Sequence, residues 1–278
     1  MSNSVVRGIA NLAWAEWPHL STALLAAPSA IMAFFCLGLR RAVPANIAYH
    51  FFMVLGIFAH GWSLSLARNE RRHSEGSTTP RRRKTRTPLV RPASLAWGMF
   101  GFGVSCYLAC RFVSQPGEYL GVNRAALRQT LDEFGVSRLD EMLVFSLYFS
   151  CFNPWLEEVF WRQLVRWRLR LEAVRFCDRA RKPTKAARVD AACRHADVFS
   201  AVAYSAYHSV IISQLMPAWF NLCVAFPFLS VTGLVLNRVA DAPTLGVGAC
   251  VALHAGLDAS AAFWILDLRF GWLDGVFA

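Results

Sequence analysis

Long apolar runs constrain this chain more than any other feature of its sequence. Of its 278 residues, 55% are hydrophobic and 17% are charged. A helix that crosses the hydrocarbon core of a membrane needs about 20 apolar residues, so the runs predict an all-α, polytopic transmembrane helical bundle of about seven spans (six to eight) around an internal polar cavity. The predicted spans are 21–39, 43–67, 93–113, 141–165, 197–216, 218–236 and 244–266.

The basic residues separate these runs. A formal net charge of +11 is compatible with a nucleic-acid-binding protein, but nineteen of the 29 Lys and Arg residues lie in two stretches, 68–91 and 166–195, each between apolar runs. Basic loops between apolar spans are typical of the cytoplasmic side of a membrane protein. We therefore predict that both stretches are cytoplasmic loops. Their expected partners are membrane lipids, and nucleic acid is excluded.

Ionisable residues inside apolar runs are costly and mark candidate functional sites. A helix rises about 1.5 Å per residue, which places three such clusters at similar depths, so three helices can bring them into one layer. The clusters are Glu157, Glu158 and Arg162 in 141–165, Tyr204 and His208 in 197–216, and His254 and Asp258 in 244–266.

The spacing within the first cluster separates the two glutamates. Glu158 and Arg162 are four residues apart, share a helix face and can form an ion pair. Glu157 points about 100° away from Glu158, and a carboxylate in an apolar site suits a general base. A structural ion pair at a helix end is the alternative. His50 and Asn153 belong to none of the clusters, and packing is the simpler interpretation of both.

The three motifs occur in a recognisable order. Glu-Glu-x-x-x-Arg, aromatic-x-x-x-His and His-x-x-x-Asn/Asp, each in an apolar run, resemble the CPBP family, also called the type II CAAX prenyl endopeptidase or Abi family. The resemblance covers about residues 141 to 266. Tyr204 stands where Phe is usual, and Asp258 takes the acidic option at a position that is often Asn. An ionised Asp258 could not donate a hydrogen bond, which puts its role in question.

The resemblance implies an intramembrane, glutamate-dependent endopeptidase. It assigns the activation of water to Glu157 and His208, and support of the site to Glu158 and Arg162. Peptide hydrolysis needs a base for water and donors for the tetrahedral oxyanion. The sequence contains neither the HExxH motif of zinc proteases nor the GxSxG motif of serine hydrolases.

The remaining candidates are expected to face the substrate. The resemblance assigns His254 and Asp258 to the oxyanion side, and we add Tyr204 and Trp161 as candidates for substrate binding. It implies no cofactor and no metal. Zinc remains an open alternative, because two glutamates, two histidines and an aspartate are a possible ligand set.

The predicted organisation has three parts: N-terminal spans with the basic loop 68–91 in residues 1–140, a catalytic core in 141–266, and a C-terminal tail in 267–278. The predicted function is hydrolysis of a peptide bond near the C-terminal end of a membrane-anchored or prenylated protein. Composition suggests a bacterial source and the cytoplasmic membrane. A C-terminal sorting-signal protease of the same family and a non-proteolytic scaffold or bacteriocin-immunity protein are the alternatives.

Overall fold

The fold is built from helices. The computed structural model describes residues 20–39, 42–75, 92–109, 124–133, 138–179, 186–242 and 245–271, and within these ranges all regular structure is helical, as predicted. In chain order the elements are α1 (Leu20–Met32), π1 (Ala33–Gly38), α2 (Ala42–Glu75), α3 (Pro92–Ala109), α4 (Arg124–Glu133), α5 (Leu139–Cys151), α6 (Asn153–Glu158), π2 (Val159–Val165), α7 (Arg166–Arg179), α8 (Ala186–Leu215), α9 (Ala218–Phe220), π3 (Asn221–Ala225), α10 (Phe226–Asp241) and α11 (Gly246–Phe270).

The prediction of about seven membrane spans is wrong. Among the described residues, two helical stretches are long and apolar enough to cross a membrane, Ala218–Asp241 and Gly246–Asp267. A shorter apolar helix covers Thr22–Gly38. The last two predicted spans therefore coincide with the two candidates, whereas the described parts of the other predicted runs do not meet the criteria of length and composition.

Polar residues explain the difference. The run 141–165 is broken at Phe152, where α5 ends, and it carries four charged residues, Glu141, Glu157, Glu158 and Arg162. The run 197–216 begins with Asp197 and contains several hydroxyl, amide and imidazole side chains. In these two runs, the residues that mark the candidate site thus lower the hydropathy, whereas α11, which carries His254 and Asp258, remains apolar enough to cross a membrane.

The basic stretch 166–195 is largely helical, although we predicted a loop. Residues 166–179 form α7 and α8 begins at Ala186, with 180–185 outside the described residues. The other predicted loop, 68–91, begins inside α2, and its residues 76–91 lie outside the described ranges, as do 272–278 of the predicted tail.

A network of ion pairs joins α7, α8 and α10. Arg166 pairs with Asp197 at 2.8 Å and with Asp241 at 2.6 Å, and Arg170 pairs with the same two carboxylates at 2.6 and 3.0 Å. Burial alone would raise the pKa of Asp197, but the hydrogen bonds from Arg166 and Arg170 outweigh burial and lower the pKa. The network therefore ties these three helices together.

An aromatic core lies behind the site. The rings of Trp161 and Tyr207 are stacked with centroids 5.8 Å apart, and Tyr204 meets both rings edge-on at 5.9 Å. Tyr49 of α2 packs against Tyr207 at 4.9 Å. These side chains are at most 2% exposed, so π2, α8 and α2 are held in a fixed relation around the polar residues.

Helices α3 and α11 approach each other through small residues. A Cβ atom added at Gly256 would overlap the carbonyl oxygen of Gly98 and lie 2.7 Å from the backbone nitrogen of Phe102. One added at Gly101 would lie 2.7 Å from the carbonyl oxygen of Leu253. Such close backbone contact through glycine is typical of helix pairs in membranes, and it fixes α11, the helix that carries His254 and Asp258.

Candidate functional site

The site begins at a break in the helix that carries the glutamates. Helix α5 ends at Cys151, Phe152 forms a turn, and α6 begins at Asn153. Pro154 cannot donate a backbone hydrogen bond to the preceding turn, which favours a break at this point. The following residues 159–165 form a π-helical segment, a departure that is frequent at functional sites. Glu157 and Glu158 are thereby carried inward, where they are 2% and 0% exposed.

Glu158 is held by a buried arginine. Nε of Arg162 donates to Oε2 of Glu158 at 2.9 Å, and Nη2 lies 3.4 Å from Oε1. Nη1 of Arg162 donates to Oδ1 of Asn237 at 3.3 Å, and the guanidinium carbon lies 4.8 Å from the centre of the Tyr204 ring. The carboxylate of Glu158 therefore has fixed partners, as the four-residue spacing indicated.

His254 lies between carboxylates. Its Nδ1 is 3.0 Å from Oε1 of Glu158, and a carboxylate can only accept, so Nδ1 carries a hydrogen and donates. Its Nε2 faces Oδ1 of Asp258 at 3.4 Å and Oε2 of Glu157 at 3.7 Å. The hydroxyl of Tyr204 is 3.5 Å from the same nitrogen. Nε2 is thus the atom of this ring that faces the centre of the site.

His208 is oriented by α8 itself. Its Nδ1 lies 2.8 Å from the carbonyl oxygen of Tyr204, so this nitrogen is the donor of the neutral ring. Nε2 then accepts from the hydroxyl of Tyr207 at 3.0 Å. The same Nε2 is 3.9 Å from Oε2 of Glu157. The side chain of His208 is 19% exposed, more than those of the other site residues that face Glu157.

Oε2 of Glu157 is left without a hydrogen-bond partner among the described residues, although it is buried. A buried carboxylate oxygen that makes no hydrogen bond is energetically costly. It faces Nε2 of His208 and Nε2 of His254, at 3.9 and 3.7 Å. These distances are too long for direct hydrogen bonds and leave the oxygen free to bind water or a cation between the two rings.

Asp258 accepts a hydrogen bond from another helix. Nδ2 of Asn153 donates to its Oδ2 at 2.9 Å, while Oδ1 faces His254. Both oxygens therefore face nitrogen atoms, which fits an ionised side chain that acts as an acceptor. This geometry gives Asp258 no donor for an oxyanion and leaves it beside His254 as a partner of the imidazole.

The six predicted catalytic residues lie in one connected cluster, and Tyr204 contacts it. Trp161 lies in the aromatic core instead: it is 0% exposed, and its indole N–H donates to the hydroxyl of Tyr49 at 3.2 Å. Three further residues contact the cluster, Asn153, Tyr207 and Asn237, and His50 reaches it through Asn153. None of the four belongs to the residues that define the three motifs. The feature of the sequence that could have identified them is the presence of a polar side chain in or next to an apolar run.

Three of the side chains could hold a metal ion. One ligand atom each of Glu157, His208 and His254 lie within 4.8 Å of one another. Both imidazoles have the second-shell partners that orient metal-binding histidines: a backbone carbonyl at Nδ1 of His208 and a carboxylate at Nδ1 of His254. Two histidines and one glutamate, with an open fourth position, are a ligand set of catalytic zinc.

No protein-family model, curated protein or solved structure matches the chain.

Proposed function

We propose that the chain is an intramembrane endopeptidase that hydrolyses a peptide bond near the C-terminal end of a membrane-associated or lipidated protein, with water activated by Glu157 and His208. The observation that carries the proposal is the unbonded, buried Oε2 of Glu157 between the Nε2 atoms of two histidines. A water molecule in this position has an acceptor for its proton and a second polar group to orient it.

The reaction follows from these positions. Glu157 takes a proton from water, and the oxygen attacks the carbonyl carbon of the peptide, whose oxygen becomes negatively charged. His254, whose Nδ1 donates to Glu158, stabilises this oxyanion through Nε2 in its imidazolium form, in which Nε2 also carries a hydrogen. The carbon–nitrogen bond then breaks, and the proton on Glu157 passes to the leaving amine. Glu158 and Arg162 hold His254 and the helix in place.

Apolar outer faces support a substrate in the membrane. Ile47, Phe51, Leu55 and Phe58 recur along one face of α2, and each is more than half exposed. Large exposed apolar stripes mark contact with lipid or with another protein. Together with the two long apolar helices, this surface supports a position of the buried polar cluster next to a membrane, where an anchored substrate is concentrated.

The test is a comparison of membrane-protein C-termini by mass spectrometry in cells that express the wild type or Glu157→Gln. This substitution preserves shape and removes the base. We expect at least one C-terminus to revert from a trimmed to an untrimmed form. Glu141→Gln is the matched control, because Glu141 is exposed in the first turn of α5 and remote from the cluster. Identical C-termini in all three strains would favour a binding protein over a protease.

The metal-ligand geometry favours a second candidate, a zinc-dependent hydrolase that uses Glu157, His208 and His254 as ligands. Bound zinc would lower the pKa of water and polarise the peptide carbonyl. Metal analysis of the purified protein and of His208→Gln distinguishes the two candidates. Stoichiometric zinc that is lost in the variant supports the zinc enzyme, whereas full activity after treatment with a strong chelator supports the glutamate mechanism.

A further inference from the structure

A chain of polar side chains connects α2 to the site. Nε2 of His50 lies 2.7 Å from Oδ1 of Asn153, and Nδ2 of Asn153 lies 2.9 Å from Oδ2 of Asp258. The three residues are 5%, 2% and 8% exposed. They come from α2, α6 and α11, so the chain joins three helices that are far apart in sequence. At its outer end, the hydroxyl of Tyr148 is 2.6 Å from Nδ1 of His50.

The directions of these hydrogen bonds follow from the chemistry of the groups. An ionised Asp258 can only accept, so the amide nitrogen of Asn153 must face it. The amide oxygen of Asn153 then faces His50 and requires a hydrogen on Nε2. At the other ring nitrogen, Nδ1 of His50 faces the hydroxyl of Tyr148, and the backbone of Asn46 is a further hydrogen-bond partner of the ring. The hydrogen bonds from His50 through Asn153 to Asp258 therefore run in one direction, towards the carboxylate.

We propose that Asn153 and His50 are positioning residues of the site, which hold Asp258 as an acceptor beside Nε2 of His254. The catalytic part of this inference rests on the proposed function, whereas the contact itself does not. Without the amide of Asn153, Oδ2 of Asp258 would be buried without a partner, and the carboxylate would turn towards the nearest other donor. Nε2 of His254 would then lose its orientation between Asp258 and Glu157.

A polarity swap tests the contact. Asn153→Asp alone places two carboxylates against each other, and Asp258→Asn alone removes the acceptor charge beside His254. In the double variant Asn153→Asp/Asp258→Asn, the new Asn side chain can donate to the new Asp and still present its oxygen to His254. The carboxylate introduced at position 153 also gives Nε2 of His50 an acceptor. We expect each single variant to lose thermal stability in detergent and the double variant to recover most of it.

Turnover is measured with the substrate identified from the Glu157→Gln comparison. Loss of a hydrogen bond to a buried charge predicts about a 10- to 100-fold fall in kcat for each single variant, with KM little changed, and recovery to within about threefold in the double variant. Asn221→Asp is the control. Asn221 is buried and donates to the carbonyl of Ser209. Adding Asp258→Asn to Asn221→Asp should therefore restore neither stability nor kcat.

His50 provides a second test if the variants at position 153 do not fold. Gln at position 50 can still donate to Asn153, whereas Leu cannot, so we expect His50→Gln to keep kcat within about threefold of wild type and His50→Leu to lose about tenfold. If the stability losses of the two single variants simply add in the double variant, the contact between Asn153 and Asp258 is refuted. Recovery of stability without recovery of kcat would overturn the positioning role. If Glu157→Gln changes no C-terminus, the proposed function fails, and the stability measurements still decide the contact.

Discussion

Glu157 and Glu158 are adjacent in the sequence, but their side chains have different partners. Glu158 is bound by Arg162 and His254, whereas Oε2 of Glu157 has no hydrogen-bond partner in the part of the chain that the structure describes and faces two imidazoles. Adjacent helical positions point about 100° apart, so one carboxylate can be structural while its neighbour is free to react. This division was predictable from the spacing of Glu158 and Arg162 in the sequence.

The buried ion pair gives a prediction for stability. Arg162→Met leaves Glu158 buried without its main cationic partner, and breaking a buried pair in this way costs about 3–5 kcal/mol. We expect a fall of that size in the free energy of unfolding, measured in mixed detergent micelles. Arg138→Met removes an exposed pair with Asp140, which water screens, and should leave the free energy of unfolding nearly unchanged. Equal effects of the two substitutions would contradict the account.

The contacts of Asn153 and His50 were not predictable from the sequence. Motif spacing reports neighbours within one helix, whereas His50 and Asn153 are 103 residues apart and Asn153 and Asp258 are 105 apart. From the sequence, packing in the core explained both residues, and only the arrangement of the helices shows their contacts. Tyr207 is different: it is adjacent to His208, and its role as a donor depends on the tautomer fixed by the carbonyl of Tyr204.

At the scale of elements, close packing of α3 and α11 determines where His254 and Asp258 lie. We predict that Gly256→Ala destabilises the protein by about 1–3 kcal/mol, because the added methyl group meets backbone atoms of α3 that cannot yield locally. Gly103→Ala is the matched control on α3, where a Cβ meets nothing within 4 Å. It should be neutral or stabilising through helix propensity. Thermal unfolding in detergent measures both, and a neutral Gly256→Ala would refute the packing argument.

The ion-pair network of α7, α8 and α10 predicts a dependence of stability on pH. The pKa of Asp197 is lower in the folded protein than in the unfolded chain, so its stabilising contribution is present above the unfolded value and is lost as the pH falls through the folded value. We expect the thermal midpoint to decline in acid more steeply for the wild type than for Asp197→Asn. Parallel pH profiles of the two proteins would show that the network contributes nothing measurable.

For the whole molecule, the sequence predicted the helical class but overestimated the number of membrane spans. Apolar runs were read as spans wherever they were long, yet the runs that supply the site contain the polar residues and the break at Phe152. Hydropathy alone does not distinguish a lipid-facing helix from one that surrounds a polar cluster. The three motifs lie together in the structure, but two of the three runs whose depths were compared, 141–165 and 197–216, are not among the candidate spans. Membrane depth was therefore not a valid reason to expect their approach.

The exposed apolar face of α2 and the two long apolar helices predict an integral membrane protein. We expect the chain to stay in the membrane pellet after an alkaline carbonate wash, which releases peripheral proteins held by charge. A soluble domain of the same lysate serves as the control for lysis. Release of the chain into the supernatant would contradict a membrane location.

The most direct test of the central claim is the cleavage rate of the identified substrate by purified protein in lipid vesicles, with wild type compared with Glu157→Gln. Loss of a general base predicts a fall of about 10²- to 10⁴-fold, with Glu141→Gln unchanged and folding intact by thermal unfolding. A Glu157→Gln protein that cleaves at the wild-type rate would show that Glu157 is not the base.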